Sequence, residues 1–167
     1  MHVSPPFEGM FCHLAEIRAI GCVYVHGGAS RSAAGTVGFT AMPDTCPCGT
    51  PLPMSECCGP LLDGRISAPT AERLMRSRYT AFTVLDADYL LRTWHPDTRP
   101  SSLDLDDRRE WTGLEILATT GGGMLQTAGT VDFVAHFRDA GARRTGSQRE
   151  NSTFSRVDGA WVYVDAV

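Results

Sequence analysis

Val131-Asp132-Phe133-Val134-Ala135-His136-Phe137-Arg138 alternates strictly, with Val131, Phe133, Ala135 and Phe137 on one side and Asp132, Val134, His136 and Arg138 on the other. A period of two sends successive side chains to opposite faces of an extended chain, so this octet predicts a strand buried on one face only. Downstream, Asp139 to Gly146 reads as a turn and Ser147 to Val157 as a further strand. Asp158-Gly159 is a hairpin signal, and Ala160 to Val164 reads as the last strand. Upstream, Leu114, Ile116 and Ala118 alternate with other residues, then Thr119-Thr120-Gly121-Gly122-Gly123 reads as a breaker. Asp97 to Glu110 is charge-rich and reads as a loop with a short helical piece.

Ahead of the strands the period changes. Ala68-Pro69-Thr70 is a helix-start signal, and Ala71, Leu74, Met75, Tyr79, Phe82 and Leu85 recur at helical spacing over about four turns. Asp86-Ala87-Asp88 breaks that helix and caps a second, Tyr89 to Trp94, which Pro96 stops. Two helices followed by antiparallel strands predict an α+β domain over 65–167, with a curved sheet wrapped around the helices.

Before the helices, Cys46-Pro47-Cys48-Gly49 and Cys57-Cys58-Gly59 bring four thiols into one short hairpin. Thiolates are soft donors suited to Zn²⁺, and four of them close a tetrahedral shell at about 2.3 Å per bond, leaving no position for water. Such a metal folds the peptide and does no chemistry; iron is the alternative ion. A pair of disulfides is the other reading of four cysteines. The spacing follows a ligand pattern, however, and adjacent cysteines such as Cys57 and Cys58 rarely bridge each other.

The chain has 167 residues, of which 43% are apolar and 20% charged, with a formal net charge of −4. All fifteen basic residues are arginine. Without lysine there is no P-loop, no Schiff base and no lysine general base. An acidic chain with no basic stripe is a poor nucleic-acid ligand, and no apolar run is long enough to span a membrane. Residues 1–41 end in a small-residue run, Gly27 to Gly35, and carry too little apolar area to fold alone. They read as disordered, or as an over-extended reading frame whose true start is Met42. They also lack the uninterrupted apolar stretch of a signal peptide, which with reduced cysteines points to the cytoplasm.

From Met42 onward the chain resembles the bacterial YchJ-like family. The resemblance rests on Cys46-Pro47-Cys48-Gly49 with Cys57-Cys58-Gly59-Pro60, which is similar to a SEC-C motif, and on Leu74-Met75-Arg76-Ser77-Arg78-Tyr79. It rests further on Asp86-Ala87-Asp88-Tyr89-Leu90-Leu91, Thr93-Trp94-His95-Pro96 and Gly159-Ala160-Trp161-Val162-Tyr163-Val164-Asp165. It implies a SEC-C zinc knuckle at 42–64 with Cys46, Cys48, Cys57 and Cys58 as ligands. After it would come an NTF2-like domain, a cone of helices packed in a curved antiparallel sheet around a cavity. It implies no established activity. The knuckle turn departs from the pattern, reading Thr50-Pro51-Leu52-Pro53-Met54-Ser55-Glu56 where lysines are usual. A neutral turn ending in Glu56 offers no attraction to an acidic partner such as the SecB chaperone.

Within the main domain, Arg78 falls on the apolar face of the first helix and must find a partner there. Glu150, on the strand face of Phe154, is the candidate for a buried ion pair; the rival reading makes Arg78 an anion anchor at the mouth of the cone, with Trp94 and Glu150 as further ligand-binding residues. Trp94 itself reads as core. His95, Asp88 and Tyr79 are the candidate acid–base groups, although Asp86 and Asp88 are already explained as cap and first-turn carboxylate. Asp132 and His136 fall on the polar sheet face, which is solvated or meets a second copy in a homodimer. Three functions follow: a zinc-knuckle adaptor for a protein partner, a small-molecule binder or dehydratase/isomerase-type enzyme using the cone cavity, or a metal-handling protein.

Overall fold

The computed structural model describes residues 45–140 and 144–167. A 3-10 turn, Met54–Glu56, and a single-turn helix α1, Gly59–Leu62, complete the cysteine hairpin. Helices α2, Ala71–Thr83, and α3, Ala87–Arg92, come next. Strands β1, Arg109–Gly121, β2, Ala128–Asp139, β3, Arg144–Val157, and β4, Ala160–Ala166, then form an antiparallel meander in the order β1-β2-β3-β4. N-terminal residues 1–44, and with them the disorder and start-site readings, lie outside the described residues.

Both helix starts follow from their sequence signals. Thr70 Oγ1 accepts from the Arg73 N–H at 3.1 Å, and Asp86 Oδ1 accepts from the Tyr89 N–H at 2.8 Å. α3 ends at Arg92, earlier than its helical pattern suggests, because the next residues pair with the sheet. The Tyr163 N–H donates to Thr93 O at 2.9 Å and the His95 N–H to Tyr163 O at 2.7 Å, so Trp94 forms a parallel bridge to β4.

The strands run longer than their apolar alternation. β1 begins at Arg109, inside the segment read as a charged loop, because its charges pair across the ladder: Arg109 Nε with Asp139 Oδ1 at 3.0 Å, and Arg138 Nη2 with Glu110 Oε2 at 2.6 Å. The expected helical piece before it is absent, and residues 97–108 form turns, a bend and irregular chain. Thr119, Thr120 and Gly121 continue β1 opposite Val131, Thr130 and Gly129 instead of breaking it. The reversal comes at Gly122, with φ +76°, whose carbonyl accepts from the Ala71 N–H at 2.9 Å; an added Cβ would lie 2.7 Å from Ala71 Cβ. At the other hairpin, Asp158 and Gly159 both have positive φ, 50° and 81°, as a tight turn matched to strand twist requires.

The concave face of the sheet presents Val131, Phe133, Ala135, Phe154, Trp161 and Tyr163, all buried. Leu74, Met75, Tyr79 and Phe82 of α2 and Leu90 of α3 fill it. Trp111 closes one side, edge-on to Tyr79 and Phe137 at 6.2 and 5.9 Å between ring centres. The four cysteines with Leu61 and Leu62 belong to this same buried cluster, so knuckle and cone share one core.

Candidate metal centre and buried arginine site

Two tight turns aim the cysteine pairs at each other. The Cys46 N–H donates to Leu52 O at 2.7 Å and the Gly49 N–H to Cys46 O at 3.2 Å, closing the first turn. On the other side the Cys57 N–H donates to Met54 O, and Cys58 O accepts from the Leu61 and Leu62 N–H groups that start α1. All four Sγ atoms lie within 4.8 Å of one another, with Cys48 to Cys57 at 3.5 Å and Cys57 to Cys58 at 3.9 Å. A tetrahedron with bonds of about 2.3 Å places its sulfurs about 3.8 Å apart, so the donor set fits a metal ion. These spacings are far too long for disulfides, and all four thiols are free.

None of the four cysteines is more than 3% exposed. Packed together without a cation they cannot all ionise: hydrogen bonds from Cys48 and Cys58 pull Cys46 below the usual thiol range, and Cys46 in turn pushes Cys48 and Cys58 up. Helix α2 supplies the surrounding charge. Arg73 Nη1 donates to Cys57 Sγ and Nη2 to Cys57 O, both at 3.2 Å. Arg76 Nη1 donates to Cys48 O at 2.9 Å while its Nε holds Glu72 at 2.8 Å. Burial works against the Arg73 cation, but the hydrogen bond to Cys57 and the neighbouring sulfurs outweigh it and hold Arg73 above its ordinary value. Thr50 Oγ1 lies 3.0 Å from Cys57 Sγ and 3.3 Å from Cys48 Sγ, so its one proton serves either sulfur.

The sequence assigns no site role to Arg73, Arg76 or Thr50, although Arg76 and Thr50 lie in the stretches that carry or break the family resemblance. A signal for Arg73 exists nonetheless. It is a cation in the first turn of a helix, where the dipole disfavours positive charge, and such a placement needs an anion nearby.

The second cluster surrounds Arg78, which is 1% exposed. The expected ion pair with Glu150 does not form. Arg78 Nη1 instead donates to Leu90 O and Thr93 Oγ1, both at 2.8 Å, and the guanidinium carbon stands 4.6 Å from the Tyr163 ring centre and 5.1 Å from that of Trp94. Glu150 is occupied by Ser152, whose hydroxyl donates to Oε1 at 2.5 Å. Burial brings Arg78 down to about 10 and pushes the Glu150 carboxyl up. Trp94 is core as expected, 2% exposed and edge-on to Tyr163 at 5.0 Å. Arg78, Trp94 and Tyr163 thus adjoin one another.

The acid–base candidates stay apart. Asp88 is exposed in the first turn of α3. Tyr79 is buried against Trp111, and that burial pushes its hydroxyl up to about 12. His95 Nδ1 accepts from the Asp97 N–H at 3.2 Å, with Asp97 Oδ2 at 3.7 Å. No hydrogen bond or ion pair among the described residues joins any two of the three. On the outer sheet face Asp132 pairs with Arg149 at 2.7 Å and His136 is exposed.

Comparison with known proteins agrees with this architecture. Residues 70–166 match the model of the family described as YchJ, middle NTF2-like domain. A UPF0225 protein of Streptomyces coelicolor is 57% identical over 120 residues, 72% of this chain and 92% of its own length. Another from Geobacter sulfurreducens is 48% identical over 130 residues, covering 74% and 79%. Among solved structures, a SEC-C motif containing protein from Rhodopseudomonas palustris superposes with a TM-score of 0.64 at 34% identity, over 73% of this chain and 96% of that one. A second, from Psychrobacter arcticus, gives 0.60 at 30% identity, over 72% and 80%. With a cysteine cluster able to hold a metal ion set against an NTF2-like cone, the chain belongs to the YchJ-like family of UPF0225 proteins.

Proposed function

We propose that this protein is a cytoplasmic interaction adaptor whose Cys₄ centre holds a structural zinc ion. The observation that carries the reading is the closed, buried set of four sulfurs clamped to α2 by Arg73 and Arg76. Four thiolates leave no open coordination position, and soft sulfur donors favour zinc among the common divalent ions. A metal in that position supports structure, and buried reduced thiols suit a reducing compartment.

The contact surface is the β1–β2 hairpin end. No residue from Ile116 to Val131 is charged, and Leu125 and Met124 are 99% and 71% exposed. The hairpin is held firmly: the Arg156 guanidinium donates to the carbonyls of Gln126, Met124, Pro69 and Gly159. Large apolar side chains on a braced, uncharged turn suit an uncharged apolar patch on a protein partner. Tagged wild-type protein, the variant Leu125→Asp and the variant Arg78→Met are compared by affinity capture and quantitative mass spectrometry. The adaptor reading expects a specific partner lost with Leu125→Asp and kept with Arg78→Met. A capture profile indifferent to Leu125→Asp refutes it. Among the described residues no helix is long and apolar enough to cross a membrane.

A further inference from the structure

The interior of the cone contains a cation without a counter-ion. Arg78 is 1% exposed, and no carboxylate of a described residue comes within ion-pair distance of it. Its Nη1 hydrogens go to neutral oxygens, on Leu90 and Thr93. Its Nε–H has no acceptor. Two further buried groups against it are equally unpartnered, the Trp94 Nε1–H and the Tyr163 hydroxyl. These three side chains adjoin one another, with the guanidinium carbon 4.6 Å from one ring centre, 5.1 Å from the other, and the two rings 5.0 Å apart.

Each of these orphan groups carries a hydrogen to donate. Leaving a buried donor unmade costs about 1–3 kcal/mol, and more when it is charged, so three on adjoining side chains call for an acceptor. Water answers this poorly, because its own two hydrogens would then need acceptors, and of the three orphan groups only the Tyr163 hydroxyl offers one. An oxyanion has acceptors only. Glu150, whose charge is felt by Arg78, is itself hydrogen-bonded to Ser152, and its burial favours the neutral acid. The two remaining unpartnered buried side-chain atoms among the described residues, Asn151 Oδ1 and Ser155 Oγ, sit at positions of β3 that alternate with Ser152 and Phe154 and so face away from this interior.

We propose that Arg78, Trp94 and Tyr163 form a closed binding site for a small monovalent carboxylate. Arg78 supplies the charge and Nε–H, and the indole N–H and the phenol donate to the carboxylate oxygens. The three polar atoms are closed to solvent in this arrangement, so a ligand reaches them only when the Trp94 or Tyr163 ring turns aside, and one of a few atoms needs the smallest movement. The site is independent of the hairpin surface assigned to a protein partner.

Thermal unfolding of the full chain with sodium formate, acetate or chloride at matched ionic strength tests this. Formate or acetate should raise the midpoint saturably, and Arg78→Met should abolish the response. Tyr163→Phe, which keeps the ring and removes one donor, should weaken apparent affinity about tenfold, the size of one hydrogen bond to a charged group. If Arg78→Met does not fold, the Tyr163→Phe titration decides alone, and an unchanged affinity there overturns the site. No response of wild type to either carboxylate, or an equal response to chloride, also overturns it.

Discussion

Arg73→Met isolates what helix α2 contributes to the metal centre. The substitution keeps most of the aliphatic stem and removes two contacts at 3.2 Å, one to Cys57 Sγ and one to Cys57 O. A hydrogen bond to a charged group contributes about 1.5–3 kcal/mol. Independently, loss of an outer partner of a metal ligand costs about 10–100-fold in metal affinity, which at about 1.4 kcal/mol per decade is about 1.4–2.8 kcal/mol. Arg73 is only part-buried, so screening places the loss toward the lower end, about a tenfold to thirtyfold weaker site. The assay is competition for zinc against a chromophoric chelator, paired with thermal midpoints of the loaded and the stripped protein. The carbonyl contact is lost in both states, whereas the sulfur contact matters most when Cys57 is a metal-bound thiolate. Arg73→Met should therefore lower the loaded midpoint more than the stripped one, and Arg73→Lys, which keeps the charge without the two-pronged geometry, should recover part of the difference. Equal losses in the two states, or unchanged chelator competition, would refute the charge-compensation argument.

Two further outcomes follow from the shared core and the buried carboxyl. Structural zinc in small sites contributes about 10–16 kcal/mol, as much as a whole domain's stability of about 5–15 kcal/mol. Because the cysteines share one cluster with Leu61, Leu62, Leu74 and Met75, stripping the metal should lower a single cooperative melting transition; calorimetry showing a separate knuckle transition above an unmoved main peak contradicts this. Glu150 has its folded pKa raised by burial, so between the ordinary glutamate value and the raised one the folded state holds more protons than the unfolded chain. Its contribution to stability is thus present at acid pH and falls as pH rises through that window. Glu150→Gln, which can still accept from the Ser152 hydroxyl, should flatten the pH dependence of the midpoint there, and identical slopes in both proteins would show that the carboxyl does not titrate in this way.

The parts of the fold that announced themselves are those fixed by neighbours in sequence. Val131 to Arg138 declares its two faces by alternation alone, and Asp158-Gly159 declares its turn because few other residues accept φ values of 50° and 81° in succession. The cysteine spacing is equally local. What escaped is fixed by partners far along the chain. Arg109 belongs to a strand because Asp139 stands opposite it, thirty residues on, and nothing near Arg109 says so. Arg78 is readable as a buried cation in need of a partner, but its acceptors sit beyond the next helix start, and its ring contacts come from Trp94 after that helix and Tyr163 on the last strand. Glu150 was the plausible acid on the right face of the right strand; Ser152, two residues along the same face, reached it instead. Residue type and face can be read locally, whereas pairing within an interior depends on how far each element is pushed along its axis.

That axial position is what α2 settles, and it ties the two sites together. Over thirteen residues the helix turns Arg73, Arg76 and Thr80 toward the knuckle, with Thr80 Oγ1 3.8 Å from Cys46 Sγ, while Arg78 faces Trp94 and Tyr163 and Tyr79 meets Trp111. A helix packed to interior density cannot rotate to relieve one face without disturbing the others. The knuckle fixes α2 by contacts spread over its first three turns, and Arg78 lies between Arg76 and Thr80 on the same rigid element. A metal ion held by the four sulfurs would therefore act, through α2, on where the buried guanidinium stands relative to β4. A shift of about an ångström there would break its hydrogen bonds to Leu90 and Thr93, which tolerate little lengthening beyond their 2.8 Å. On this geometry the knuckle is the part of the core that holds the cone's only fully buried arginine among the described residues in register.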